Sequence, residues 1–317
     1  MQCLGRNLKN ETLLFPNRIT VELTNRCNVS CTFCPRQTID MPLGYMEPEL
    51  FKKIIDEASE HLPVKLVIFF RGESLLHPDF FEMAKYAKDK GLGPIQLASN
   101  GLELNDENAD KMIESGIDYV SFSLDTLDED LYSNSRLTGD LAISRENIIS
   151  FSKKCKARKE QGLGAPTLQV STIDIDMYKS GQQEFIDFWK EYVDNIRVYF
   201  EHDDNGHVIS QEGIRRLEHI SERKPCRKVF TDFLVFYNGE VTTCNYNWRA
   251  VKQLGNVNNS TIREIWHSDE FNKIRDMHNT NSFPKDFICA DCHHWKIDYT
   301  ETGFLGDLYT ANTEREK

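Results

Sequence analysis

Between residues 18 and 200, short apolar runs alternate with segments of helical periodicity, and this alternation restricts the fold more than any other feature of the chain. "RITVELT" (18–24), "VKLVIFF" (64–70), "PIQLASNG" (94–101), "DYVSFSLD" (118–125), "TLQVSTI" (167–173) and "IRVYF" (196–200) read as strands. Residues 47–62, 78–91, 105–117, 141–162 and 182–193 carry apolar side chains at helical spacing, and Asn105 ahead of acidic residues predicts an N-cap. Strands separated by helices pair in parallel through right-handed crossovers. Six such repeats predict an α/β fold, a partial (β/α)6 TIM-like barrel with its chemistry at the C-terminal ends of the strands.

The pattern changes after residue 200. "EHDDNGHVISQEG" is polar and reads as a loop, and "FLVFYNGEVTTC" (233–244) is a hairpin turning at Asn238–Gly239. "TIREIWHSDEFNKIRDMHN" reads as one helix, and "CADCHHW" closes a second, smaller α+β unit. The expected divisions are an N-terminal segment 1–17, the barrel 18–205, a linker 206–225, the small unit 226–300 and a tail 301–317.

The net charge of −12 comes without a basic stripe, which argues against a nucleic-acid backbone as partner. There is no run of eighteen apolar residues and no apolar signal core at the N-terminus, so a cytoplasmic chain with no membrane span is expected. In that setting nine cysteines are metal ligands or catalysts rather than a disulfide framework. Seven of them fall into two groups. Cys27, Cys31 and Cys34 lie in "CNVSCTFCPR", just beyond the first strand. A structural zinc takes four ligands, whereas a 4Fe–4S cluster held by three cysteines keeps one iron without a thiolate. That iron is free to bind a small molecule and pass it an electron.

"CNVSCTFC" after the first strand of a βα repeat resembles the cysteine motif of radical S-adenosylmethionine enzymes. The resemblance implies that the open iron chelates S-adenosylmethionine and that its reductive cleavage yields a 5′-deoxyadenosyl radical. Other stretches match the family residue by residue. "FRGESLLHP" resembles its GGEP motif, so Gly72 and Glu73 would hold the methionine ammonium, while Arg71 and Ser74 depart from the pattern. "ASNG" implies a ribose-side contact at Asn100. "SFSLD" implies Ser123 and Asp125 near the cofactor, and "DLYSNSRLTG" implies Arg136 for the methionine carboxylate. Phe33 matches the position that packs on adenine.

Cys226, Cys244, Cys289 and Cys292 form C-x17-C-x44-C-x2-C, and their surroundings resemble the SPASM/twitch extension of radical enzymes. Four ligands imply one saturated auxiliary 4Fe–4S cluster, making two in all, with electron transfer as its role; a structural zinc is the alternative. The layout is similar to aminocyclitol and aminosugar dehydrogenases of the 2-deoxy-scyllo-inosamine type. That implies oxidation of a carbinol in a small sugar-like substrate, with a flavodoxin or ferredoxin as reductant.

Three alternatives stand beside it. Epimerisation needs a thiol hydrogen donor, and the spare cysteines are Cys3, in a terminal segment, and Cys155, among lysines on an outer helix. Peptide maturation commonly uses an N-terminal leader-binding domain, for which the residues before the first strand are too few. An electron carrier or scaffold would not need the S-adenosylmethionine motifs. Beyond the sixth strand, Glu201 and His202 are candidates to deprotonate or bind a substrate hydroxyl. Asp203, Asp204 and Arg71 are candidates to hold an amine or hydroxyls. His293 and His294 are expected to support the knuckle rather than react.

Overall fold

The computed structural model describes residues 14–203, 206–249, 253–300 and 306–310. Cys3 and Asp204 lie outside the described residues. β1 (Arg18–Val21), β2 (Lys65–Val67), β3 (Ile95–Ser99), β4 (Tyr119–Ser123), β5 (Thr167–Asp174) and β6 (Asn195–Phe200) pair in parallel in chain order. The connections carry α1 (Pro48–Ser59), α2 (Phe80–Asp89), α3 (Asp106–Glu114), α4 (Glu129–Ser135), α5 (Leu141–Glu160), α6 (Asp176–Lys179) and α7 (Gln182–Trp189). This is the expected partial (β/α)6 barrel. Asn105 caps α3 by accepting the Asn108 N–H at 2.9 Å, and Asp140 caps α5 through the Ile143 N–H.

Two-residue alternation decides which face of the sheet is greasy. Ile19 and Val21, Ile95 and Leu97, Val120 and Phe122, Leu168 and Val170, and Ile196 and Val198 are buried in one core with the helices. Their neighbours point the other way. The concave face therefore carries Thr20, Glu22, Gln96, Tyr119, Ser121, Ser123, Gln169, Asn195, Arg197 and Tyr199. It is already a hydrogen-bonded surface in part: Tyr119 Oη donates to Gln169 at 2.5 Å, and Gln169 Nε2 donates to Ser121 Oγ at 2.7 Å.

Neither edge of the barrel sheet is left bare. After α8 (Gln211–Leu217) and α9 (Lys228–Thr231), β7 (Asp232–Val235) pairs in parallel with β1. β8 (Glu240–Thr242) and β9 (Gly255–Asn256) extend the sheet antiparallel. The expected hairpin turn is present, with Gly239 at φ +86°. At the far edge β10 (Gly306–Thr310) pairs antiparallel with β6, which makes a ten-stranded sheet among the described residues.

Three stretches differ from the sequence reading. The 206–225 linker contains α8, capped by Ser210; Gly213 gives the stretch the look of a loop, yet it is a packing requirement. A Cβ there would come within 2.5 Å of Val208 and 3.2 Å of Phe200. Phe200, Val208, Leu217, Ile220 and Trp295 form a second small core that ties this segment to the C-terminal unit. The helix read over 261–279 is two, α10 (Ile262–Trp266) and α11 (Asp269–Thr280), because Ser268 starts a new helix by accepting the Phe271 N–H at 3.3 Å. Part of the expected tail is β10. Among the described residues no helix is long and apolar enough to cross a membrane.

Candidate active site

β1 delivers the first cysteine loop to the C-terminal end of the sheet. Residues 135–138 hold that loop: the Thr32 N–H donates to the Ser135 carbonyl at 2.8 Å, the Leu137 N–H to the Ser30 carbonyl at 3.1 Å, and the Ser30 N–H to Thr138 Oγ1 at 2.9 Å. Cys31 and Arg136 form an isolated antiparallel bridge. Burial raises the Cys27, Cys31 and Cys34 thiols above their usual range, Cys31 to about 12, while the Arg136 guanidinium opposes the rise at Cys31 and Cys34. Thiols kept neutral by burial ionise when a metal supplies the compensating charge.

The residues carried over by resemblance converge on this loop. Gly72 has no space for a side chain, since a Cβ would lie 2.4 Å from the carbonyl oxygens of both Thr24 and Arg26. That close approach seats Glu73 against the loop entrance, its N–H donating to the Arg26 carbonyl at 2.8 Å. The Glu73 carboxylate is buried and accepts the N–H groups of Asn100 at 2.8 Å and Leu75 at 3.2 Å; burial lifts it to about 7. Asn100 Nδ2 donates to Asn28 inside the cysteine loop at 2.8 Å. Asp125, at φ +71°, accepts both Nε and Nη2 of Arg136 on one oxygen, at 2.9 and 2.6 Å. Phe33 is exposed, with the Arg136 guanidinium 5.7 Å from its ring centre, and Ser123 lies half-buried on the concave face. Three clustered thiols, a glycine cradle and a buried carboxylate fit an iron–sulfur cluster with an amino-acid-bearing ligand.

Arg71 is occupied by partners within the protein. Its Nε and Nη2 donate to Glu22 at 2.6 and 2.8 Å, its Nη1 donates to the Trp248 carbonyl at 3.1 Å, and the guanidinium stacks 4.0 Å from the Phe236 ring centre. Three hydrogen bonds and the ring contact hold it at the seam between barrel and C-terminal unit, which the sequence could not reveal because Glu22 and Phe236 are remote in the chain.

The second cysteine group surrounds one cavity. Cys226, Cys244, Cys289 and Cys292 line it together with Arg223, Lys228, Thr243, Tyr246, His278 and His294. Four thiols around one cavity match the ligand set of a cysteine-bound iron–sulfur cluster. Five buried polar atoms on this wall lack partners: Arg223 Nε, Thr243 Oγ1, His278 Nε2 and both His294 ring nitrogens. Groups of this kind call for a ligand rich in acceptors. Sequence reading picked out the cysteines but missed Arg223, Thr243, Tyr246 and His278; none but Thr243 has a local signal, its place beside Cys244. Arg223 Nη2 donates to the Cys289 carbonyl at 2.6 Å and so braces the knuckle. Burial pushes the His278 imidazole down to about 3, with Arg223 adding to the effect.

The loop leaving β6 packs on this second site. Gly206 sits so close to the knuckle that a Cβ would lie 2.7 Å from Cys292 Sγ. The His202 ring meets Tyr246 and His294 edge-on, at 5.3 and 4.9 Å between ring centres, and the Tyr246 and His294 rings stack at 3.5 Å. Asp203 holds His207 at 2.6 Å, and His293 Nδ1 accepts the Val208 N–H at 3.2 Å. Glu201 continues the concave row of Arg197 and Tyr199 and is half-buried.

These two sites on one sheet define an enzyme that pairs an S-adenosylmethionine cluster with an auxiliary one. A family model for the Radical SAM superfamily matches residues 21–163, and one for the SPASM iron–sulfur cluster-binding domain matches 226–293. The chain carries a radical SAM domain followed by a SPASM domain, with S-adenosylmethionine and two iron–sulfur clusters as the cofactors these domains imply. It is 30% identical over 154 residues to a tungsten-containing aldehyde ferredoxin oxidoreductase cofactor-modifying protein of Pyrococcus furiosus, covering 48% of this chain but only 42% of that one. It is 25% identical over 332 residues to an AdoMet-dependent heme synthase of Methanosarcina barkeri, covering 89% of this chain and 90% of that one. Among solved structures it resembles BtrN in complex with AdoMet and 2-DOIA (TM-score 0.51, 19% identity, 83% of this chain and 87% of that one). It also resembles Streptococcus suis SuiB bound to the precursor peptide SuiA (TM-score 0.68, 14% identity, 93% and 75%). At such identities these two likenesses concern the fold.

Proposed function

We propose that this protein is a cytoplasmic dehydrogenase that oxidises a carbinol carbon of a small sugar-like or aminocyclitol molecule to a ketone. The observation that carries the reading is where the thiols lie. Four surround the auxiliary cavity and leave that centre no open position, so its use is to exchange electrons. Among the described residues the one cysteine outside the two groups, Cys155, is buried in the helix-side core, and burial pushes it up to about 12. No described thiol is thereby offered to the concave face as the hydrogen donor an epimerase needs.

When bound, S-adenosylmethionine and a first cluster held by Cys27, Cys31 and Cys34, reduced by a flavodoxin or ferredoxin, would supply hydrogen-atom abstraction at the carbinol carbon, and an auxiliary cluster held by Cys226, Cys244, Cys289 and Cys292 would take up the electron released along with a proton. This chain's residues do the rest. Gly72 and Glu73 seat the methionine ammonium, Arg136 meets its carboxylate, and Asn100, Ser123, Asp125 and Phe33 line the nucleoside side. The polar concave face supplies donors and acceptors for a hydroxylated ring. Glu201, at the end of β6 on that face, takes the hydroxyl proton; His202, packed on Tyr246, is the lesser candidate.

A second reading, modification of a ribosomally made peptide, draws on the likeness to SuiB. The test incubates anaerobically reconstituted protein with S-adenosylmethionine, dithionite and aminocyclitol or aminosugar candidates in deuterated water, followed by mass spectrometry. A product two mass units lighter, with one 5′-deoxyadenosine per turnover, is expected. A substrate that instead keeps its composition and gains one solvent deuterium makes the protein an epimerase. Slow S-adenosylmethionine cleavage without any change in these candidates moves the reading to peptides.

A further inference from the structure

The auxiliary cavity contains more than ligands. His278, on the last turn of α11, is pinned by its own backbone neighbourhood: its Nδ1 accepts the Cys226 N–H at 3.3 Å, and its ring meets Phe283 edge-on at 4.9 Å. A neutral imidazole that accepts at one nitrogen carries its proton on the other. That other nitrogen, Nε2, is buried, has no partner, and belongs to a residue lining the cavity. Thr243 repeats the arrangement from a second element. It follows β8 directly, is buried, lines the same cavity, and its Oγ1 has no partner either. Unpaired buried donors are costly and rare, so two facing one cavity of thiols point to a shared acceptor.

We propose that His278 Nε2–H and Thr243 Oγ1–H donate hydrogen bonds to sulfur atoms of the auxiliary cluster and thereby set its reduction potential. A hydrogen bond to a cluster sulfur favours the state with the extra electron, and such bonds are among the controls a protein has over these potentials. Both residues are tuning groups that act through the cluster and need not touch substrate. The inference rests on the cluster, not on the alcohol-oxidation reading, though a raised potential is what an electron-accepting centre would need. His294 lines the same cavity but leaves both ring nitrogens unpaired, so nothing fixes its proton as Cys226 fixes that of His278.

The test uses full-length protein carrying Cys27→Ala, Cys31→Ala and Cys34→Ala, so that only the auxiliary cluster is read. An anaerobic redox titration followed by electron paramagnetic resonance compares this background with His278→Leu, His278→Gln and Thr243→Val. Loss of either donor is expected to lower the equilibrium constant for accepting one electron by roughly tenfold, about 59 mV more negative for a one-electron couple. His278→Gln keeps an acceptor for Cys226 and a donor for the cluster, so its potential is expected to stay near that of the background. Pulsed resonance on protein labelled with ¹⁵N-histidine should show a nitrogen coupling in the background that His278→Leu abolishes; this arm needs no stability from the variant beyond cluster loading. Unchanged potentials at full iron content in His278→Leu and Thr243→Val, or no such coupling, overturn the proposal. Absence of any cluster signal in the background, with zinc found instead, overturns the cluster assignment beneath it.

Discussion

The Glu22–Arg71 pair offers the sharpest quantitative prediction. Both side chains are almost wholly removed from water, at 0% and 7% exposure, and they meet bidentately at 2.6 and 2.8 Å where β1, the β2 exit and the hairpin join. Arg71→Met removes both of these hydrogen bonds, the bond to the Trp248 carbonyl and the stack on Phe236. Glu22 is then left with the Tyr237 N–H at 3.2 Å as its remaining partner. Breaking a buried pair from one side costs about 3–5 kcal/mol because a charge is stranded, and a desolvated cation–π contact adds about 1–2 kcal/mol. A total near 4 kcal/mol is expected after partial relaxation. With an m-value of about 3 kcal/mol/M for a chain of this size, the urea midpoint should fall by roughly 1.3 M. Glu22→Gln in the same chain removes the stranded charge, so the double variant should recover about 2 kcal/mol of the loss. Anaerobic urea unfolding of the reconstituted protein, followed by tryptophan fluorescence and circular dichroism, reads all four corners of the cycle. A drop below about 1 kcal/mol for Arg71→Met, or a double variant no better than the single one, would refute the claim that this pair is sealed from solvent.

Two further outcomes test the first site. Gly72→Ala pushes a methyl into two backbone carbonyls, neither of which is the tip of a flexible side chain. We expect a loss of about 3 kcal/mol of stability with at least roughly tenfold weaker S-adenosylmethionine binding by calorimetry, and near-wild-type values would mean the loop entrance yields freely. Glu73 tests pH linkage. Its carboxyl, raised by burial to about 7 from 4.5, binds its proton more tightly in the folded chain than in the unfolded one. The stability this supplies is complete below pH 4.5 and disappears as pH climbs through 7, about 3 kcal/mol in all. Iron-free wild-type protein should therefore lose that much relative to Glu73→Gln across the window. Parallel stability curves for the two would contradict it.

The barrel was legible because its signals are local. Strand alternation, Asn105 at a helix start, Asn238–Gly239 in a turn and three cysteines beyond the first strand each act within a few residues, and each element appears where that pattern put it. What escaped reading depends on distant partners. "GDLYT" has little strand character of its own; it becomes β10 because β6 offers unpaired backbone groups at a sheet edge. β7 could be read as half of a hairpin but not as the neighbour of β1. Arg71 was legible as a departure from the family's pattern, yet its engagement with Glu22 and Phe236 needed coordinates. Likewise, His278 is an ordinary helical histidine until its two nitrogens are seen to face the Cys226 amide and the cavity. Ser268 did carry a local signal, an acidic first turn behind a serine, and reading one long helix there passed over it.

Because β7 is bonded to β1 while the knuckle rests on the loop leaving β6, the two metal-binding sites are mounted on one continuous backbone frame. Among the described residues the gap between them is bridged by the hydrogen-bonded sheet and by the small core of Phe200, Val208, Leu217, Ile220 and Trp295. Tunnelling from one station to the other, or from a substrate lodged between them, then crosses a span set by that framework. Evolution acting on such a molecule has potentials and side chains to adjust, and far less freedom to adjust distance.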